Sequence, residues 1–292
     1  MLVLGIAAAA ASSCFYNLSI ALQALQARDV HHDHGLRPSL LVRLVKNPHW
    51  LGATGIGLLG WPLELAALLL APLTVVQPVL ASGLLLLLYL GATRLGERPG
   101  PREYAAVAAI LIGLTGVALA APNRTTEHAS GTALAISLGL IALVALAPYI
   151  LRGRIGPASF IVVISAGCGY AWTGLISKLA TDEVATGSIL IAVAWLATLA
   201  ASELVALLSE MSALQRRPAT HVAPPMFTVQ VLIPVLLAPF LFGESWGDTP
   251  LGGVVLGASI ALSVAGTALV AASPAVAGVL ESAAERDAKH PR

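Results

Sequence analysis

Residues 64–78 read ELAALLLAPLTVVQP, and residues 210–224 read EMSALQRRPATHVAP. Set side by side at one offset, Glu64 meets Glu210, Ala67 meets Ala213, Leu68 meets Leu214, Pro72 meets Pro218, Thr74 meets Thr220, Val76 meets Val222 and Pro78 meets Pro224. Each copy is followed by Gly-Glu, at Gly96-Glu97 and Gly243-Glu244. A shared helical periodicity of apolar residues does not by itself preserve prolines and a carboxylate. The chain therefore reads as two copies of one unit. Further upstream Cys14, Tyr16 and Ser19 align, more weakly, with Cys168, Tyr170 and Thr173.

What the unit does depends on its solvent. The 292 residues are 57% hydrophobic and 11% charged, whereas a soluble domain carries about 25% charged residues. This is the composition of an all-α, polytopic membrane bundle. A span needs about 20 mostly apolar residues, which predicts nine transmembrane helices at 2–27, 49–70, 73–94, 103–121, 131–151, 158–180, 187–214, 219–242 and 250–272. No basic stretch precedes the first apolar run, so an uncleaved first helix is expected. With the N-terminus outside, the cytoplasmic segments hold Arg28, Arg37, Arg43, Lys46, Arg94, Arg98, Arg102, Arg152, Arg154, Arg216, Arg217, Arg286, Lys289 and Arg292. Of the 16 basic residues, that leaves Arg124 and Lys178 outside. The bias predicts N-out, C-in in a bacterial plasma membrane.

The copies of the unit lie five spans apart, and an odd number inverts one against the other. The expected organisation is a 4+1+4 inverted repeat: residues 1–122, a linker helix within 123–157, the second repeat at 158–272 and a polar cytoplasmic tail at 273–292. Many secondary transporters have this plan, with the site near the midplane between the repeats.

The run at residues 50–122, with Ala71-Pro72-Leu73-Thr74-Val75-Val76-Gln77-Pro78, Leu95-Gly96-Glu97-Arg98 and Ile112-Gly113, resembles the EamA-like drug/metabolite transporter superfamily. The second-half runs Ala213-Leu214-Gln215-Arg216, Val222-Ala223-Pro224-Pro225 and Phe242-Gly243-Glu244-Ser245-Trp246 are most similar to its NIPA-like group, magnesium transporters. The resemblance covers roughly residues 1–272. It departs from the NIPA-like pattern where Trp61 follows Gly60, where Glu64 takes the place of an Asn, and at Met226-Phe227, which are less polar than that group's tyrosine pair. The resemblance implies a transporter; the departures favour a small organic solute over magnesium.

Among individual residues, Glu64 and Glu203 lie well inside apolar spans and Glu210 nearer a cytoplasmic end. A mid-span carboxylate costs about 2.5–3.5 kcal/mol on insertion scales, so it faces a cavity, a partner or an ion path. Glu64 and Glu203 are the expected proton-exchanging pair; an interfacial pairing with Arg216 or Arg217 is the plain alternative for Glu210. Tyr16, Asn17, Gln77, Tyr170, Trp172, His221 and Gln230 are candidate cavity liners. Pro62, Pro72, Pro78, Pro218, Pro224, Pro225, Pro234 and Pro239 release backbone carbonyls in or beside the helices, as broken transporter helices do.

Gly55-x-Gly57-x-x-Gly60 fits a dinucleotide fingerprint by letters but sits in a span with no strand before it. It reads as close helix packing, like Gly113-x-x-Gly116 and Gly253-x-x-x-Gly257. The loop Asp29-Val30-His31-His32-Asp33-His34 has a metal-like density of imidazoles but reads as solvated, and residues 36–45 could lie on the inner membrane surface. No P-loop lysine, aspartate cluster or nucleophile elbow is present, so neither an enzyme nor a cofactor is expected. The expected partners are a small-molecule or ion substrate, membrane lipids and, in a homodimer, a second copy; nucleic acid is not expected. A lipid-carrier flippase subunit or non-transporting membrane partner is the remaining reading.

Overall fold

The computed structural model describes residues 2–30, 34–70, 76, 79–120, 131–151, 159–185, 187–242 and 249–272. Among them the chain is all-helical and without strands. In order come α1 (Leu2–Asp29), α2 (Pro38–Val45), α3 (Pro48–Leu70), α4 (Gly83–Thr93), α5 (Pro101–Ala120), α6 (Gly131–Ile150), α7 (Phe160–Ala185), α8 (Ile189–Leu214), α9 (Ala219–Phe242), a 3-10 turn (Pro250–Gly253) and α10 (Val254–Ala271).

Among the described residues six helices are long and apolar enough to cross a membrane: Leu2–Asp29, Pro101–Ala120, Gly131–Ile150, Ile189–Leu214, Ala219–Leu237 and Pro250–Ala271. Val79–Thr93 and Phe160–Ile176 are shorter apolar helices. Large apolar side chains such as Leu58, Trp61, Tyr89, Ile112, Leu140, Leu190 and Phe240 point outward, a surface that water would not tolerate at this extent. The chain is thus a multi-pass membrane protein in shape.

Helix α1 owes its central place to small side chains. Its buried face carries Gly5, Ala9, Ser12, Ser13, Asn17, Ser19, Ala21, Gln23, Ala24 and Ala27, which let neighbouring backbones approach, as small residues do between membrane helices. Helices α3 and α4 pack on it, and α8 and α9 touch it from the second half. Helix α7 occupies the matching place there, against α6, α8 and α9. Hydroxyls then fasten the helices to each other's carbonyls: Ser12 Oγ donates to Gly60 O (2.8 Å), Ser13 Oγ to Leu80 O (2.6 Å), Ser19 Oγ to Ala53 O (2.8 Å) and Ser165 Oγ to Ala145 O (2.5 Å).

Glycines set the tightest crossings. A Cβ on Gly113 would lie 2.2 Å from Ser263 Oγ and 2.7 Å from Ser259 O, and one on Gly266 would lie 2.7 Å from Ala106 O, so α5 and α10 meet almost backbone to backbone. On α3, Gly57 and Gly60 face Ser19 and Tyr16 of α1, whereas Gly55 and Gly257 face open space. The packing role expected for Gly257 is therefore not seen, and Gly253 instead adopts φ 88° at the start of α10.

Helices α3, α6 and α9 run through Pro62, Pro148 and Pro224, Pro225 and Pro234 without a break, because the carbonyl that each proline leaves unpaired is tolerated inside a continuous helix when neighbours pack around it. The segment at 36–45 contains helix α2, whose Leu40 and Leu44 are fully buried and which packs on α3 and α8. Its other face leaves Val42, Arg43 and Val45 exposed.

The main core joins the halves, with Leu36, Leu84, Leu87 and Ile110 from the first and Val162, Val163, Met211, Leu214, Val222 and Met226 from the second. A separate cluster, Leu138, Ile141, Leu175, Ile176 and Leu241, binds α6, α7 and α9 within the second half.

Candidate functional site

Two tyrosines on the central helices reach two carboxylates. Tyr16 of α1 donates its hydroxyl to Glu64 Oε2 on α3 at 2.8 Å. Tyr170 of α7 donates its hydroxyl to Glu210 Oε2 on α8 at 2.5 Å. Glu64 aligns with Glu210 at one offset and Tyr16 with Tyr170 at another, and the same chemical pair is built twice. The surroundings agree: Tyr16 lies against Gly60 of α3, and Gly169, beside Tyr170, lies against Ala206 of α8.

The depths differ in a definite way. Glu64 stands six residues before Leu70, and Glu210 four residues before Leu214, which at 1.5 Å per residue is about 9 Å and about 6 Å from the ends of their helices. Helix α3 starts just after Lys46, and α8 ends just before Arg216 and Arg217. Glu210 therefore lies toward the end of the bundle that carries these basic residues, and Glu64 toward the opposite end. Glu210 is 4% exposed, whereas Glu64 is half-buried.

Glu203 does not join such a pair. It sits two turns before Glu210 on the same side of α8, is exposed, and accepts from Thr173 Oγ1 at 2.9 Å. The sequence pairs Glu64 with Glu203 in function; in the structure it is Glu210 whose carboxylate, like that of Glu64, accepts from a tyrosine. The Oε2 atom of Glu210 meets Tyr170.

A second polar cluster closes the basic end. Gly96 has φ +65°, the left-handed geometry that glycine tolerates best, and ends α4 in a tight cap with Leu95 N on Leu90 O (3.1 Å) and Glu97 N on Gly91 O (2.9 Å). The turn aims Glu97 at the first turn of α9. Glu97 accepts from Ala219 N (2.7 Å), Thr220 N (3.1 Å) and Thr220 Oγ1 (2.7 Å), and pairs with Arg28 of α1. Beside it His221 Nε2 lies 3.4 Å from Glu103 Oε1 of α5, and Glu103 Oε2 accepts from Gly100 N at 2.8 Å. Leu36 N donates to Ser212 Oγ (2.9 Å), Gln215 Nε2 to Val30 O (3.2 Å) and Trp50 Nε1 to Met211 Sδ (3.4 Å). Arg217 lies 5.7 Å over the Phe160 ring, and burial lowers the pKa of its guanidinium.

The remaining expected residues scatter. Asn17 is buried; its Nδ2 donates to Ser13 O at 2.9 Å and its Oδ1 has no partner among the described residues. Trp172 likewise has a buried Nε1 without a partner among the described residues. His221 belongs to the basic-end cluster. Pro224 is buried in α9 and its carbonyl accepts from Thr228 Oγ1 at 2.9 Å. Gln230 is half-buried on α9, away from these contacts. Gln77, Pro78, Pro72, His31, His32 and Gly243-Glu244 lie outside the described residues. Among the described residues no group of three or more His, Cys, Asp or Glu side chains is placed to hold a metal ion.

Sequence reasoning missed the work of Glu97, Glu103 and Arg28. The one available signal was the repeated Gly-Glu, which marked Glu97 as part of the unit without saying what it touches. Comparison with protein-family models, with curated proteins and with solved structures finds no match to this chain.

Proposed function

We propose that this chain is a secondary carrier of the drug/metabolite transporter kind, which moves a small organic solute by alternating access with proton exchange at Glu64 and Glu210. In this reading the chain makes nine spans as a 4+1+4 inverted repeat in a bacterial plasma membrane, N-terminus outside, with the basic end cytoplasmic. The observation that carries it is the twice-built tyrosine–glutamate pair, Tyr16 with Glu64 and Tyr170 with Glu210. A structural clasp needs only one such pair. Two, at matched sequence positions and displaced toward opposite ends of the bundle, are what a carrier uses when each half in turn presents its carboxylate. Intramembrane carboxylates otherwise carry a cost that selection removes.

The test uses the full chain in proteoliposomes enclosing a pH-sensitive dye, with an imposed pH gradient. Pools of amino acids, sugars and organic cations such as tetraphenylphosphonium are added outside. Expected is proton movement that depends on one pool, with Glu64→Gln and Glu210→Gln each abolishing it. Undiminished pH-dependent flux in both variants removes these residues from the mechanism.

Magnesium passage is the second reading, supported by the NIPA-like resemblance and by the oxygen-rich make-up of the pairs, since magnesium takes oxygen ligands. The same vesicles with an enclosed magnesium dye separate the two: magnesium entry with no proton-coupled solute movement favours this reading.

A further inference from the structure

We propose that Glu97 is the gate residue of the basic end: its carboxylate clasps Arg28 of α1 and the first turn of α9, and releasing it opens that end of the bundle. This inference rests on the carrier reading for its purpose. The clasp itself rests on its own contacts.

A helix start is ordinarily capped by a neighbouring Ser, Thr, Asp or Asn. Helix α9 has Pro218 before Ala219, and its first amide hydrogens are met by a carboxylate 122 and 123 residues away in sequence. A local cap survives any rigid movement of its helix; a distant one is broken as soon as the two parts separate. The same is true of the contacts around it: Glu103 with His221, Leu36 with Ser212, Val30 with Gln215, Trp50 with Met211. Each joins a residue before position 122 to one after position 158, and all stand at the basic end.

The chemistry suits a contact that opens and recloses. Arg28 is partly exposed, its side chain 28% accessible, so when released it and Glu97 can be hydrated at the membrane boundary. The clasp is also fitted closely. A Cβ on Gly91 of α4 would lie 2.6 Å from Thr220 Cγ2 and 2.9 Å from Glu97 Oε2, so only glycine leaves room for Glu97 and Thr220 to meet. Beneath the clasp the seam between the halves is apolar: Val222, Ala223 and Met226 of α9 share a buried cluster with Leu84, Leu87 and Met211. Breaking it gives water a way to the buried Glu210.

The experiment reads opening directly and needs no solute. In a Cys14→Ala/Cys168→Ala background, Ala223→Cys reports on the seam beneath the clasp, and Ile176→Cys on α7 reports on a core position in the separate second-half cluster; both sites are buried. Inverted membrane vesicles expose the basic end to a membrane-impermeant maleimide. Loss of a set of hydrogen bonds to a charged group shifts an equilibrium by about tenfold or more. Expected, then, is Ala223→Cys labelling about tenfold faster or more in Glu97→Gln, with Ile176→Cys unchanged, and the same direction in Gly91→Ala.

Unchanged Ala223→Cys labelling in both variants overturns the gate. An equal rise at Ile176→Cys also overturns it, because Glu97 then supports the fold as a whole. If Glu97→Gln does not assemble, Gly91→Ala decides. Failure of the carrier reading is distinguishable: faster labelling in vesicles that move neither solute nor magnesium leaves the clasp standing and removes its transport role.

Discussion

Replacing Tyr170 with Phe deletes one oxygen and leaves the ring in place. In the folded protein that oxygen is the donor to Glu210, whose side chain is 4% exposed. At that burial the carboxylate loses its partner without gaining bulk solvent. A buried polar group stripped of its partner costs about 1–3 kcal/mol. For a chain of this size about 2 °C of melting temperature accompanies each kcal/mol, so Tyr170→Phe is expected to melt about 2–6 °C lower. Tyr16→Phe is the internal control. Glu64 is half-buried and its freed carboxylate can be hydrated, so the expected fall is about 1–3 °C. The melt is read in detergent by thiol reactivity in a Cys14→Ala background, where the buried Cys168 reacts only on unfolding. A cycle with Glu210→Gln completes the argument: directly bonded residues couple by about 0.5–3 kcal/mol, so the hydroxyl should matter less once the carboxylate is gone. An unchanged melt for Tyr170→Phe, a larger fall for Tyr16→Phe, or strict additivity in the cycle would refute the reasoning.

Three more outcomes follow from named contacts. Gly113→Ala puts a methyl 2.7 Å from Ser259 O, a backbone atom that cannot step aside, and should cost about 1–3 kcal/mol as overpacking, whereas Gly257→Ala, with nothing within 4 Å, should leave the melt unchanged; equal melts would mean that α5 and α10 do not meet as described. Trp172→Phe removes a buried N–H that has no partner among the described residues. The melt should therefore move little while the half-saturating concentration for any transported solute rises several-fold, and a large loss of stability would show instead that the indole is structural. Glu203→Gln should keep proton-coupled flux within about threefold of the parent, since this exposed residue is outside the tyrosine–glutamate pairs; abolished flux would return Glu203 to the centre of the mechanism.

How far the sequence could be read depended on the range of the interaction. Helix positions were legible because the bilayer demands long apolar runs, and Leu2–Asp29, Gly131–Ile150 and Ile189–Leu214 lie close to where hydropathy puts them. The pairing of Tyr16 with Glu64 and Tyr170 with Glu210 was half legible: alignment marked all four residues, but spacing along the chain says nothing about which carboxylate a tyrosine on another helix will meet. Glu203 misled because depth within a span was taken as burial. Glu203 itself is exposed, as are Leu190, Ile191, Val193 and Leu196 in the first half of α8. The clasp at Glu97 was the least legible part, since its partners lie in different helices and two of its donors are backbone amides, which carry no sequence signature at all.

The unequal burial of the two matched carboxylates has a physical source in the same place. Sequence gives Glu64 and Glu210 the same kind of partner, yet Glu210 is nearly sealed and Glu64 is not. Among the described residues, the contacts that cross between the halves at the basic end account for the sealing of Glu210. Glu97, His221 and Ser212 draw the halves together at the basic end, over Glu210, and none of these contacts reaches the end toward which Glu64 lies. In the proposed carrier this inequality is exchanged: as the basic end opens, Glu210 gains water while Glu64 loses it. The Glu97 clasp lies over Glu210 at that end, so release of the clasp and hydration of this acid must then occur together.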